Sequence, residues 1–218
     1  MKVIFLWLGV FLINEYVAAQ VPVSQEPMHR NVFENKSLRL LDVHLLPGDT
    51  SLFHKHETPS VFIVINNAKT GSEVIMEDGK STALSKDAAI SFESFAHSPR
   101  IHRVWNEDSI EFHVIDVEVL SKGNSGYVKT PKPEAFRLLF DEKWVLGYRV
   151  TLKAHDKVML PAGNAFLIVC LDETSGKVQV NKKSFDKKGA YLFIEKGKQI
   201  TFTNDDQDTH SFAVIEIK

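Results

Sequence analysis

Two histidines one residue apart, His54-Lys55-His56, are the first feature of this sequence that points to chemistry. In an extended strand, residues two apart face the same side. Both imidazoles would then project to one face, with Phe53 and Lys55 on the other. A third histidine, His102, opens the stretch His102-Arg103-Val104-Trp105-Asn106, in which His102, Val104 and Asn106 share a face. Three inward imidazoles on neighbouring strands suit a first-row divalent metal. They are neutral nitrogen donors at about 2 Å that leave coordination positions for water or substrate. Six of the nine histidines fall between positions 44 and 113. His97, in the turn before the His102 strand, is a candidate fourth ligand, proton shuttle or substrate contact, set against an ordinary surface-loop histidine. Arg100 could hold an anionic substrate at a site mouth and Arg103 should face outward by parity, both set against ordinary solvated charge. His44 and His113 lie on flanking strands, their direction open; either could orient a ligand, set against an ordinary hydrogen-bonded strand histidine.

The elements that must position these residues are short. From Leu38 onward the chain is a series of apolar runs such as SVFIVINN, AAISFES and IEFHVIDVEVL, rich in Val, Ile and Phe and broken by turn signals. That pattern predicts an all-β sandwich or barrel. A polar stretch, 20–37, reads as an N-terminal arm, and 122–143, rich in Gly, Pro, Ser and Lys, as a linker ending in a short helical piece, AFRLLFDEK. Residues 38–121 and 144–218 then form two units, and the second repeats the first. Leu40–Leu46 matches Leu146–Leu152, Ser60–Ile65 matches Asn164–Val169, Ile101–Asn106 matches Gln199–Asn204, and Phe112–Val117 matches Phe212–Ile217. In the second unit the ligand positions read Lys157-Val158-Met159-Leu160-Pro161 and Ile200, so it should be metal-free and structural.

With these residues in view, the chain resembles a cupin, and its duplication resembles a bicupin. The family's first motif runs Gly, five residues, His-x-His, three or four residues, Glu; here Gly48 precedes His54 and His56. The second ends in His, three residues, Asn; here these are His102 and Asn106. The resemblance implies two tandem double-stranded β-helix barrels, with His54, His56 and His102 as metal ligands in the first and with His97, Arg100 and Asn106 near the substrate. It leaves iron, manganese, copper, nickel and zinc all eligible. Two departures stand out. The family Glu would fall at Ser60 or Val61, and His97 and Pro99 occupy the places of the Pro and Gly before the second-motif histidine. Three neutral ligands leave the full charge on a divalent ion, which favours an anionic substrate. A metal-dependent oxygenase is the enzyme class this suggests, since some cupin oxygenases work with three histidines. The alternatives are a small-ligand-binding or structural cupin with a vestigial site, and a pH-responsive binder using the histidine cluster. Cupins often dimerise through exposed sheet edges, so a homodimer is a further expectation.

Composition narrows the rest. At 218 residues, 44% hydrophobic and 25% charged, the chain can bury a core. A net charge of -2 argues against bulk attraction to nucleic acid, and the lysine-rich stretch from Lys182 to Lys198 reads as solvated surface. The single cysteine, Cys170, lies in an apolar run and excludes an internal disulfide. There is no phosphate-binding Gly loop, nucleophile elbow or HExxH motif. Residues 1–19 read as a signal peptide, with Val17-Ala18-Ala19 before the cleavage point, which implies a periplasmic or extracellular mature protein. Asn35-Lys36-Ser37 is a glycosylation sequon, relevant only in a eukaryotic source.

Overall fold

Alternation of apolar and polar residues builds this chain. Leu41, Val43 and Leu45 are buried on one face of a strand, while the other face carries buried Leu38 and Leu40 and then the partly exposed Asp42 and His44. The computed structural model describes residues 20–75, 89–123 and 126–218; the signal-peptide expectation lies outside them, as does the end of SEVIMEDGK, 72–80, another of the short apolar runs from which the sequence predicts strands. Among the described residues there are eighteen strands, one short 3-10 turn and no α-helix. The first half holds β1 (Val21–Pro22), β2 (His29–Glu34), β3 (Leu38–Leu45), β4 (His54–His56), β5 (Ser60–Asn66), β6 (Thr70–Ile75), β7 (Ile90–Glu93), β8 (Arg100–Asn106) and β9 (Phe112–Val119). The second holds β10 (Phe136–Asp141), β11 (Val145–Leu152), β12 (Lys157–Leu160), β13 (Phe166–Cys170), β14 (Val178–Val180), β15 (Lys183–Phe185), β16 (Tyr191–Ile194), β17 (Ile200–Asn204) and β18 (His210–Ile217).

Each half carries a five-stranded and a four-stranded sheet. The orders are β2-β3-β9-β5-β7 and β1-β4-β8-β6 in the first, and β10-β11-β18-β13-β16 and β12-β17-β14-β15 in the second. The five-stranded orders are the same once β10 is set on β2. The two five-stranded sheets face each other: Val61, Ile63, Ile115 and Val117 share a buried cluster with Leu167, Val169, Ala213 and Ile215. The second half also has an apolar interior that includes Phe136, Leu160, Phe185, Ile200, Phe202 and Val214. No helix of the described residues is long and apolar enough to cross a membrane.

Two stretches differ from their sequence reading. AFRLLFDEK is not helical: Phe136–Asp141 is strand β10, paired antiparallel to β11 with a bulge between Leu138 and Phe140. The bulge changes which face follows, so Phe136 enters the second interior while Phe140 packs on the seam between the halves. Pairing with β11 outweighs the local preference for a helix. The arm likewise contains β1 and β2, and β2 has its own bulge between Asn31 and Phe33. His29 therefore turns inward and Phe33 to the seam.

Turn residues fix the correspondence between halves. The Asn106 side chain donates to the Leu45 and Ile110 carbonyls and accepts from the Asp108 amide. Asn204 repeats this with Leu152, Asp208 and the Asp206 amide. At the end of β3, Asp49 accepts from the Leu46 amide, and Asp156 does the same for Lys153 after β11. Gly48, at φ 85°, and His155, at φ 62°, hold the left-handed position of these two turns. Leu45 thus corresponds to Leu152, and Phe112 to His210 rather than to Phe212. Matching apolar residues by eye slips the register by one or two, because alternating strands offer several apolar matches.

Candidate metal centre

Strand β4 is only three residues long, yet it carries two of the expected ligands. It pairs with β8 so that His54 faces His102 and His56 faces Arg100. His54 and His56 point inward, 1% and 2% exposed, while Lys55 between them reaches Glu57 at the surface. The structure brings His54, His56 and His102 together, each offering a ring nitrogen within 4.8 Å of the other two.

The outer ring atoms say which nitrogen is free. His54 Nδ1 donates to the Leu52 carbonyl at 2.9 Å, which leaves Nε2 as the lone-pair nitrogen. That Nε2 is buried with no hydrogen-bond partner. His56 and His102 meet Nε2 to Nε2 at 3.1 Å. Behind them, His56 Nδ1 is 3.6 Å from the Asp116 carboxyl, and His102 Nδ1 is 3.4 Å from Ser72 Oγ. The outer nitrogens of His54 and His102 are held by hydrogen bonds, whereas His56 Nδ1 and the Asp116 carboxyl face each other without one; the inner nitrogens converge, as metal-binding histidines require. An orphaned buried Nε2 beside two facing Nε2 atoms fits a metal ion and fits poorly with a self-sufficient hydrogen-bond network.

Burial sets the charge state. It pushes His54 down to about 4, helped by nearby His29, and His102 down to about 3, helped by His54 and Arg100. His56 is held well below the ordinary histidine range by burial and by His102 and His54. All three are therefore neutral near pH 7, the form that ligates metal. Asp116 is fully enclosed, and burial together with the neighbouring Glu118 holds its carboxyl well above the usual range.

Sequence reasoning missed three residues here. His29, from β2, places its ring 4.5 Å from that of His54 and 6.5 Å from that of His56. Its Nδ1 is 2.5 Å from the Glu26 carboxylate, which also accepts from the Met28 and Leu52 amides. Burial alone would raise Glu26, but these hydrogen bonds outweigh it and its pKa is lowered. Asp116 is the third. The repeat exposes the set: walking the strand registers puts His29 where the second half has Phe136, His54 where it has Leu160, His102 where it has Ile200, and Asp116 where it has Val214. All four counterparts lie in the apolar interior of the second half. The signal was in the sequence, but only in a register that turn residues define.

The remaining expected residues scatter. Arg100 lies at the edge of the site, its guanidinium 5.1 Å over the Phe95 ring and 3.6 Å from Glu93; that Phe95 ring is 4.9 Å from His56. His97 is exposed in the bend before β8. Asn106 uses its amide to hold a turn, as described, and not to face the three histidines. Arg103 faces outward, bonded to Glu73 and stacked over Phe53. His44 and His113 also face outward, stacked on each other with ring centres 4.0 Å apart. Cys170 is buried, and burial pushes its thiol up to about 11.

No protein-family profile and no curated protein match the sequence. Solved structures do match. A cupin 2 conserved barrel domain protein from Leptotrichia buccalis aligns over 87% of this chain and 88% of its own, with TM-score 0.53 and 13% identity. The bacterial pirin YhhW from Escherichia coli, in complex with nickel(II), aligns over 88% and 89%, with TM-score 0.55 and 11% identity. Salicylate 1,2-dioxygenase from Pseudoaminobacter salicylatoxidans, as adducts with gentisate, aligns over 85% of this chain and 70% of its own, with TM-score 0.55 and 8% identity. The fold is that of the cupins. Identities this low speak to the fold and not to the reaction. Within a cupin fold, the His54, His56 and His102 cluster is a group that could hold a metal ion.

Proposed function

We propose that this chain is an exported bicupin that holds one divalent transition metal in its first barrel and presents it to a small anionic molecule, with oxygenase chemistry as the reaction class. The observation that carries the reading is the orphaned, buried His54 Nε2 beside the facing Nε2 atoms of His56 and His102. His54, His56 and His102 would hold the ion. His29, clamped by Glu26, stands beside them as a fourth imidazole. A bound divalent ion would supply Lewis acidity and a docking point for an oxyanion or thiolate. The chain's own residues do the rest. Leu52 and Ser72 keep the His54 and His102 rings oriented, and the Asp116 carboxyl stands 3.6 Å behind His56. Phe62 and Phe95 flank His56 and exclude water from that side. The guanidinium of Arg100 raises the local affinity for a negative ligand. The second barrel, its interior filled by phenylalanines, would be structural.

A non-enzymatic ligand-holding cupin is the second reading. It is favoured by the pairing of Arg100 with Glu93, which offsets its charge, and by the engagement of the Asn106 amide with backbone, which leaves Asn106 no free polar group for substrate. The test is elemental analysis of the untagged chain after dialysis against a supply of divalent metals. About one tightly held ion per chain, lost in His56→Ala while far-UV circular dichroism is unchanged, supports the metal centre. Dioxygen uptake with anionic substrates then separates the two readings. No retained metal under any supply overturns both the assignment of ligands and the oxygenase class.

A further inference from the structure

A second histidine cluster lies outside the barrel interior. On the outward face of the first five-stranded sheet, Asp42 and His44 are two apart on β3, and His113 is the direct cross-strand partner of His44 on β9. We propose that Asp42, His44 and His113 form a separate, exchangeable site for a divalent transition metal ion such as zinc or cobalt(II).

A single oxygen, Asp42 Oδ1, lies 3.0 Å from His44 Nε2 and 2.8 Å from His113 Nε2. His44 Nδ1 is in turn 2.8 Å from Glu111 Oε1. A neutral imidazole has one N–H and cannot satisfy a carboxylate at each end. One of the two contacts is thus left without a hydrogen to share, and a cation between Nε2 and Oδ1 would fill that place. A metal in that place makes the Glu111 contact the outer hydrogen bond that fixes which nitrogen ligates, the arrangement that metal-bound histidines show. Arg30 holds the other Asp42 oxygen at 2.8 Å, so Oδ1 alone is turned to the two rings.

Geometry agrees. The three residues offer donor atoms within 4.8 Å of one another. Ligand atoms on a tetrahedral ion with bonds of about 2 Å stand about 3.3 Å apart, so the cluster has to open by only a few tenths of an ångström. The rings are stacked, with 22° between their planes, which brings the two Nε2 atoms to the same side. Gly189 backs His113 from the second half: a Cβ there would meet the ring at 2.9 Å. On its open side the site borders a hollow lined by Met28, Arg30, Leu46, Asp49 and Glu111, which leaves room for water or a ligand atom to complete the coordination. Two imidazoles and one carboxylate are a donor set for borderline divalent ions rather than for calcium or magnesium. The residues are partly exposed, so the ion should exchange readily, unlike one enclosed by the buried histidines.

The experiment is a cobalt(II) titration of the metal-stripped, untagged full chain, followed by equilibrium dialysis and visible absorption. Wild type should bind about two ions, one tight and one weaker. His113→Asn and Asp42→Asn should each lose the weaker ion and its absorption band while keeping the tight one. His56→Ala should keep the weaker ion, so failure of the buried centre and failure of this site give opposite patterns. The proposal is overturned if His113→Asn and Asp42→Asn both bind cobalt with wild-type stoichiometry and affinity. It is equally overturned if His56→Ala, folded by circular dichroism, binds none.

Discussion

Replacing His102 by glutamine should change how stability responds to pH in the metal-free protein. His102 is held neutral in the fold, its pKa pushed down to about 3 first by burial, then by His54 and Arg100. In the unfolded chain it titrates near 6.5. A histidine with a depressed folded value gives its full contribution above the unfolded pKa and loses it as pH falls, because the unfolded chain takes up a proton that the fold refuses. Linkage between those two values gives a loss of about 2 kcal/mol on going from about pH 7.5 to about pH 5. That figure is nearly the same if the folded value is 4 instead of 3, since at pH 5 the folded ring is neutral either way. Asp116 works in the opposite direction: its raised pKa means that its burial costs more as pH rises. The useful quantity is therefore the difference between wild type and His102→Gln, from which the Asp116 contribution and those of the other histidines cancel. Urea melts of both apoproteins at the two pH values measure it. Wild type should lose about 2 kcal/mol relative to the variant on acidification, or about 1 M in midpoint at an m-value near 2 kcal/mol/M. Parallel pH dependence of the two proteins would refute the reasoning, because it would mean that His102 titrates as freely in the fold as out of it.

Other outcomes follow from the same geometry. Asp116→Asn should weaken metal binding by about 10- to 100-fold in a chelator competition, since His56 loses the carboxyl behind its Nδ1; an unchanged affinity would remove Asp116 from the site. His29→Phe, which borrows the residue of the second half, should fold with at least wild-type stability yet lower metal affinity by about tenfold or more; dialysis against graded chelator reads the second part and thermal melts the first. Asn106→Ala should cost about 2 to 3 kcal/mol by urea denaturation, because two carbonyls and an amide lose their partner near the end of β8. Ile215→Ala, at the fully buried seam between the halves, should cost about 2 to 5 kcal/mol; a loss below 1 kcal/mol would mean that the seam is looser than its packing indicates.

Much of the architecture was legible because alternation of apolar residues reads strands directly, and because His-x-His in a strand forces both rings to one side. What escaped had particular causes. Phe136–Asp141 reads as a helix because nothing local reports its partner, β11. His29 escaped because a bulge between Asn31 and Phe33 decides which face it takes, and bulges leave little trace in composition. Asp116 sits in a run of β-branched residues and looks like an outward-facing acid. Its buried direction follows only from pairing with β3 and β5. Asn106 stands at a motif position, and its hydrogen bonds hold a turn that Asn204 reproduces where the paired strands carry Leu160 and Ile200 instead of His54 and His102.

One small element has a practical bearing. Strand β1 is two residues long and pairs parallel to β4, with Val21 beside His54 and Pro22 beside Lys55. Without it, the strand that presents both histidines would be the open margin of its sheet, a template on which another chain can add itself. Pro22 also lacks an N–H to offer, which blunts the new margin that β1 creates. Preparations that begin downstream of Val21, or that fuse a bulky tag directly to it, should therefore self-associate through the histidine strand, and their metal content would then report an artefact of how the gene was trimmed.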